Sequence, residues 1–370
     1  MANKKRKLVI VQPALGRYRK GFINSLVKLN DTFNISIFCS PVDNSGVKSM
    51  RTIDNSIVYR KVNLTSLFGV FFWQSLVIEI TKLKLTKGDA LVINGNPRFI
   101  SSLIVSLIAK LRGADIYWWG HAWSSTSSRL GSMIRFRLMN FFNIILYTDE
   151  EIKLTKGLIN KPVVALNNGL DIEAIRAKLK INFSKYDDDD GLNIAFIGRN
   201  TEKSKFDHLI QAVIGLDSNA KSNVNVHIIG NFNRDDIVKK HPLAESLNLI
   251  CYGEMWNESE ISAVLEGCHI FVYPGAVGLS LIHAFALGLP AILHDNRYNH
   301  MPEIGAFSPG VNGLTFSEGD VTSLTQNIKH CMNDKKTLKI YAQNAYQTVS
   351  QSFNTNDMAK RFINFIKDEK

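Results

Sequence analysis

Short apolar, β-branched runs alternate along the chain with longer segments in which apolar residues recur every three or four positions. Lys7–Val11, Phe33–Phe38, Ala90–Ile93, Asp115–Trp119 and Ile144–Tyr147 read as strands. Between them, Phe22, Leu26 and Leu29 fall on one helical face. Further helices are expected over about Phe99–Leu111 and about Ser128–Phe142. Alternation at this spacing argues for an α/β fold with a parallel sheet covered on both faces.

Tyr186-Asp187-Asp188-Asp189-Asp190-Gly191 interrupts the pattern, because four adjacent aspartates repel one another and stay solvated. The alternation then restarts with strands at Leu192–Gly198, Val224–Gly230, Leu249–Tyr252, His269–Tyr273 and Ala291–Leu293, and the tail from about Thr337 to Lys367 is helical. The pattern therefore predicts twin Rossmann-like domains with a cleft between them. The expected division is a first domain over 1–185, an acidic linker over 186–191, a second domain over 192–345 and a C-terminal helix over 346–370.

Length and composition agree with two cores. The 370 residues are 45% hydrophobic and 21% charged, which excludes disorder as the main state. Cys39, Cys251, Cys268 and Cys331 are scattered, so neither a disulfide scaffold nor a thiolate zinc site is expected, and a reducing cytoplasm fits. The basic start is followed by too short an apolar run for a signal peptide, and no segment is long enough to span a bilayer. The charge is lopsided: residues 1–190 carry 28 basic against 15 acidic residues, and residues 191–370 carry 16 against 18. A basic half suggests an anionic partner, either nucleic acid or a membrane surface, or serves solubility alone. The basic residues form no recognised nucleic-acid motif. The apolar stretch Leu67–Trp73 and the Arg-rich stretch Arg129–Phe142 are the candidate membrane contacts, with core packing as the alternative for each.

Open parallel sheets bind ligands beyond the carboxyl ends of their strands. That rule singles out Gly16-Arg17, Asn94–Asn96, His121, Arg199–Lys205, Gly230-Asn231, Gly253–Trp256 and Pro274–Ser280. In Pro274-Gly275-Ala276-Val277-Gly278-Leu279-Ser280 a small-residue loop leads from a strand into a helix, whose free N–H groups suit a phosphate. Gly198-Arg199-Asn200-Thr201-Glu202-Lys203-Ser204-Lys205 again follows a strand and offers a guanidinium fork and two ammonium groups, a set suited to a diphosphate. His121 ends a strand in the first half, and Asn94 and Asn96 are further candidates at that edge. No metal-ligating cluster is seen.

The second half resembles retaining glycosyltransferases of family 4, which have the GT-B fold. The resemblance is carried by Gly198-Arg199…Lys203/Lys205…Asp207, by Pro274–Pro290 and by Met301-Pro302-Glu303-Ile304…Gly310-Val311-Asn312-Gly313, which span most of residues 191–330. It implies two Rossmann-like domains facing across a cleft, with the C-terminal helix packing back toward the first. It also implies that the second domain holds a nucleotide-sugar, a UDP-sugar rather than a GDP-sugar, and that no cofactor or metal is needed. Arg199 and one of Lys203 or Lys205 would grip the diphosphate, since Ser204 stands where the family lysine usually falls. The amides of Val277, Gly278 and Leu279 and the Ser280 hydroxyl would cap the diphosphate, and Gly198, Gly230, Gly275, Ala276 and His283 would also belong to the donor site. Gly253 to Met255 would pass beside the base. His121 would touch the transferred sugar, Gly16 would leave room for it, and Arg17, Asn94 and Asn96 would stand on the acceptor side.

One departure is plain. The two glutamates that the family carries eight positions apart correspond to Gly275 and His283. Glycine has no group for the sugar, whereas histidine could reach the ribose. The expected activity is retaining, metal-independent transfer onto a lipid-linked or other saccharide acceptor in bacterial polysaccharide assembly (O-antigen or capsule), at the inner face of the cell membrane. The alternatives are a catalytically silent GT-B partner protein and a nucleotide-sugar epimerase of the same fold.

Overall fold

The protein is described by a computed structural model that covers residues 5–44, 46–122, 129–187 and 191–367, with the side chains of 129 and 130 excepted. In chain order the first part contains β1 (Arg6–Gln12), α1 (Lys20–Leu29), β2 (Phe33–Cys39), β3 (Val58–Lys61), β4 (Leu64–Leu67), β5 (Phe71–Gln74), α2 (Val77–Lys82), β6 (Ala90–Asn94), α3 (Ile100–Leu111), β7 (Asp115–Trp119), α4 (Arg129–Met139), β8 (Asn143–Leu146), α5 (Asp149–Thr155) and β9 (Val163–Ala165). The second contains α6 (Ile172–Arg176), β10 (Leu192–Ile197), α7 (Phe206–Ile214), α8 (Ser218–Ser222), β11 (Val224–Ile229), α9 (Arg234–Lys240), β12 (Asn248–Gly253), α10 (Glu258–Glu266), β13 (Ile270–Tyr273), α11 (Leu279–Ala286), β14 (Ala291–His294), β15 (Gly313–Phe316), α12 (Val321–Asn333) and α13 (Lys335–Gln351), and α14 (Thr355–Lys367) closes the chain.

Two parallel sheets result. The first runs β3-β2-β1-β6-β7-β8-β9 and the second β12-β11-β10-β13-β14-β15; β4 and β5 form a separate antiparallel hairpin. Strand periodicity builds the two faces of the first sheet. Leu8 and Ile10 of β1 enter one core with Phe22 and Leu26 of α1, while Val9 and Val11 enter the opposite core with Val105 and Ala109 of α3.

The chain divides into two compact units, Met1–Asn167 with Thr355–Lys370, and Asn168–Asn354. The division is not at the aspartate run. Ile172, Ile175 and Tyr186 lie in the core of the second unit, and the Tyr186 hydroxyl bonds the carbonyls of His269 (2.9 Å) and Gly288 (2.8 Å). Arg176 adds a second anchor, donating to the Ala286 carbonyl at 2.7 Å and lying 3.7 Å from the centre of the Tyr346 ring. Asp187 makes an ion pair with Lys339; Asp188–Asp190 lie outside the described residues, as does Ser128 at the expected start of α4. Charge thus marks a loop leading into β10, while packing sets the boundary.

The helical tail is two helices. Extended backbone at Ser352 and a left-handed Phe353 (φ 56°) separate α13, in the second unit, from α14, in the first. Met358, Phe362, Ile363 and Ile366 share one face of α14 and are buried in the core with Phe22 and Tyr117, so the C-terminal helix packs on the first unit as expected.

Candidate functional site

The order of the second sheet fixes where a ligand can sit. Numbered within the unit, its strands run 3-2-1-4-5-6, and the order reverses between β10 and β13. Open parallel sheets take ligands at such a reversal, in the crevice outside the carboxyl ends of the two strands, where the loops that follow them meet. They are residues 198–205 and 274–278, the two segments singled out above.

The two loops are fastened to each other. The Ala276 amide donates to the Lys203 carbonyl at 2.9 Å. Gly275 sits so close beneath that a Cβ on it would lie 2.0 Å from the same carbonyl oxygen. Ser204 is buried, and its hydroxyl bonds Thr201 O at 2.7 Å. Ser204 is therefore a loop brace. Lys205 takes left-handed backbone (φ 51°) to turn into α7, and the side chains of Arg199, Lys203 and Lys205 are exposed with no hydrogen bond or ion pair to described residues. Three cationic groups thus stand free around the crevice.

Its other wall is the start of α11. The amides of Gly278, Leu279 and Ser280 donate to no described group, as first-turn amides of a helix do. Val277 is different. Its amide donates to His300 Nδ1 at 3.2 Å and its carbonyl accepts from the Met301 amide at 3.0 Å. Of the amides expected to cap a diphosphate, that of Val277 is therefore engaged, and those of Gly278 and Leu279, with that of Ser280, are left open.

Gly198, Gly230 and Gly253 end β10, β11 and β12. The Gly198 amide bonds Ile229 O at 3.0 Å and the Gly230 amide bonds Gly253 O at 2.9 Å. Gly230 has φ 146°, and a Cβ there would meet Gly198 O at 2.0 Å. These positions form a bare backbone terrace along the sheet edge. Met255 packs on the core of the unit, while the Trp256 ring beside it is 74% exposed.

His283 does not stand open to the crevice. It is buried in α11, with Nδ1 3.3 Å from a Glu258 oxygen and Nε2 enclosed without a partner among the described residues. Burial pushes its pKa down to about 4, outweighing the nearby carboxylate. In this structure His283 is a neutral core residue.

The candidates of the first unit share the carboxyl edge of the first sheet, whose order reverses between β1 and β6. Gly16 lies in the loop after β1, beside exposed Arg17. Asn94 is buried. Its side chain receives the Asn96 amide at 3.2 Å and donates to Ser102 Oγ at 3.4 Å, so it braces the loop that Asn96 continues. Gly95 and Gly120 approach until a Cβ on either would lie 2.5 Å from the other's Cα, which brings the Asn94–Asn96 loop against the turn carrying His121.

His121 is partly exposed. Its ring lies 4.5 Å from the Tyr147 ring, and Nδ1 is 3.5 Å from Glu151 Oε1. Glu151 escaped the sequence reading, although Thr148-Asp149-Glu150-Glu151 carries the S/T-x-x-E signature of a helix start. Its carboxylate is buried and accepts the amides of Ala122 (3.2 Å), Tyr147 (2.8 Å) and Thr148 (3.2 Å). One side chain thus ties the His121 turn to α5. Glu151→Ala should destabilise the protein by about 2–3 kcal/mol, read as a lowered urea midpoint, because it strands buried donors. An unchanged midpoint would show that water takes over those bonds.

Arg19 escaped notice too. It is buried at a cavity of about 150 Å³ that Gln12, Tyr18, Trp119 and Tyr147 help to line, and its guanidinium lies 4.9 Å from the Trp119 ring centre.

Comparison with known proteins agrees with this geometry. Residues 178–348 match the family model "Glycosyl transferases group 1". An uncharacterised glycosyltransferase of Methanocaldococcus jannaschii, MJ1069, is 22% identical over 325 residues, covering 80% of this chain and 78% of the relative. Among solved structures, a glycosyltransferase from Rickettsia africae superposes with a TM-score of 0.71 at 15% identity, covering 99% of both chains. Anabaena Alr3699/HepE in complex with UDP superposes with a TM-score of 0.66 at 15% identity, covering 98% of this chain and 100% of the other. The chain therefore has the GT-B fold, and its residues 178–348 are similar to the glycosyl transferases group 1.

Proposed function

We propose that this protein is a retaining glycosyltransferase that moves a sugar from a nucleotide-diphosphate sugar, a UDP-sugar, to a saccharide acceptor. The observation that carries the reading is the crevice between β10 and β13, where unpaired Arg199, Lys203 and Lys205 accompany the free amides of Gly278–Ser280. Charge on a departing diphosphate is what such a set stabilises. The bond from the sugar C1 to the diphosphate oxygen breaks. The acceptor oxygen bonds C1 on the same face, and the acceptor proton passes to the leaving phosphate. Side-chain cations and the helix start carry the charge without a metal. The solved structure of Alr3699/HepE holds UDP, in keeping with this donor class.

The first unit receives the acceptor, with His121 and Gly16 beside the transferred sugar and Arg17, Asn94 and Asn96 on the acceptor side. A lipid-linked acceptor in bacterial polysaccharide assembly fits the basic first half, and the protein then works in the cytoplasm, peripheral to the inner face of the membrane. Among the described residues no helix is long and apolar enough to cross a membrane.

Isothermal titration with UDP tests the reading. Arg199→Ala should weaken UDP binding by roughly tenfold or more, since a hydrogen bond to a charged group contributes about 1.5–3 kcal/mol. The Lys203→Ala and Lys205→Ala variants, titrated separately, identify the lysine that contacts the diphosphate. Absence of UDP binding by the unaltered protein would overturn the donor assignment. UDP binding with neither sugar transfer nor slow donor hydrolysis would leave a silent GT-B protein. Interconversion of the donor sugar without acceptor would mark an epimerase.

A further inference from the structure

Helix α3 is built inside out. The face it turns to the first sheet carries Ser101, Ser102 and Ser106, all buried, with Val105 and Ala109. The serines are satisfied there: Ser101 Oγ accepts the Gln74 amide at 2.9 Å, Ser102 Oγ accepts from Asn94, and Ser106 Oγ donates to Ser102 O at 2.8 Å. The outward face carries Ile104, Leu107 and Leu111, spaced i, i+3 and i+7, and Leu107 and Leu111 are 61% and 80% exposed. A helix that only covered its own sheet would carry these residues the other way round.

The neighbouring elements continue that surface. α2 packs against α3, Arg112 donates to Thr81 O at 2.9 Å, and Ile78 of α2 is exposed. The β4–β5 hairpin is fastened to the start of α3 by the Phe72 amide on Arg98 O (2.8 Å) and by the Phe72 and Phe99 rings (centres 5.1 Å apart). Its tip is Leu67-Phe68-Gly69-Val70, closed by the Val70 amide on Leu67 O, with φ 54° at Phe68 and 68° at Gly69. Such a turn favours asparagine, aspartate or glycine at both central positions. Here it holds a phenylalanine that is 96% exposed. Left-handed backbone at a bulky residue costs free energy, and the phenylalanine gains no burial within the chain in return.

Charge selects the occupant. Residues 64–112 contain six basic residues (Lys82, Lys84, Lys87, Arg98, Lys110 and Arg112) and two acidic ones. Glu79 is paired with Arg60 at 3.0 Å, and Asp89 is buried, accepting the amides of Lys7 and Thr86. Apolar side chains among cations, with the carboxylates engaged, suit an interface that is greasy within and anionic at its rim. The geometry points to the Phe68 turn, Ile78 of α2 and the outer face of α3 as a single surface that seats in the headgroup region of an anionic bilayer. Leu107 and Leu111 enter the acyl boundary, Phe68 acts as the wedge, and the lysines and arginines lie at the phosphates.

The inference makes specific only the membrane part of the proposed function, and its test needs neither donor nor turnover. The full chain is sedimented with vesicles of phosphatidylcholine alone or with 30% phosphatidylglycerol, at low and at high salt. Binding should require the anionic lipid and should weaken as salt rises. Leu107→Glu/Leu111→Glu and, separately, Phe68→Ser should reduce the bound fraction at least tenfold and threefold, respectively, with thermal midpoint and UDP titration unchanged. Equal binding by the variants, or no binding of the unaltered protein to anionic vesicles, would overturn the assignment. So would a dimer in light scattering that the double variant dissociates, since that would give the face to a second copy of the chain.

Discussion

Between pH 6.5 and pH 4 the protein should lose most of its resistance to urea. His269 and His283 are buried and His300 is half-buried, and loss of water around the rings pushes each pKa down to about 4. The unfolded chain takes up these protons near pH 6.5, while the folded chain refuses them until about pH 4. Stability is therefore unaffected by these groups above pH 6.5, falls as the pH drops through the window, and stops falling on their account below it. A fully resisting histidine costs about 3 kcal/mol across that range. Two of the three also use a bare ring nitrogen as acceptor: His269 Nδ1 takes the Asn193 amide at 2.9 Å, and His300 Nδ1 takes the Val277 amide. Protonation would set donor against donor at both, and at His300 it would release the loop that leads into α11. Urea midpoints at pH 7 and pH 4.5 measure the effect, and His283→Leu should narrow the gap by leaving the pH 4.5 value higher. Equal midpoints at the two pH values would show that water already reaches these rings.

A carboxylate introduced at position 275 should abolish donor binding. Gly275→Glu places a Cβ 2.0 Å from the Lys203 carbonyl oxygen and 2.6 Å from the Ser204 carbonyl carbon, and both neighbours are backbone. Relief requires the two crevice loops to part, which breaks the Ala276–Lys203 bond and scatters the cationic side chains. The expected cost is about 3 kcal/mol or more in stability, at the upper end for overpacking. Gly275→Ala, which adds only the Cβ, should suffer nearly as much, and that separates the clash from the added charge. Unfolding midpoints and UDP titration read both effects. A Gly275→Glu protein with normal stability and tighter donor binding would mean that the loops are free to move apart at little cost.

Those loops show how far the sequence is legible. The strands Asp115–Trp119, Phe33–Cys39 and Ala291–His294 fall where continuous apolar runs announced them, because a strand buried on both faces leaves a dense local signal. β3 (VYRK) and β15 (GLTF) mix polar or small residues with apolar ones and β9 has only three residues, so none shows the dense apolar run that marks the equally short β13 and β14, and none was foreseen. The hairpin at Phe68 was visible only as greasy sequence, since its turn residues break the usual turn chemistry. In the site, Arg199, Lys203 and the start of α11 were readable because strand ends and helix starts are local features. The capture of the Val277 amide by His300 and the closure of Gly275 on Lys203 were not, since each joins segments distant in sequence that meet only after the sheet has formed. The enclosure of His283 beside Glu258 was illegible for the same reason, because α10 and α11 meet only in the folded unit, although an α11 apolar on nearly every side does announce a buried helix.

The return of α14 to the first unit has a consequence for synthesis. When the ribosome has made residues 1–167, the sheet is present, but the face bearing Phe22 and Tyr117 still lacks Met358, Phe362 and Ile366. The missing cover emerges only after the whole of the second unit, about 10–40 s later at ordinary elongation rates. The unit whose first part is made earlier is therefore completed later than the second unit, and it remains open to chaperones throughout the interval.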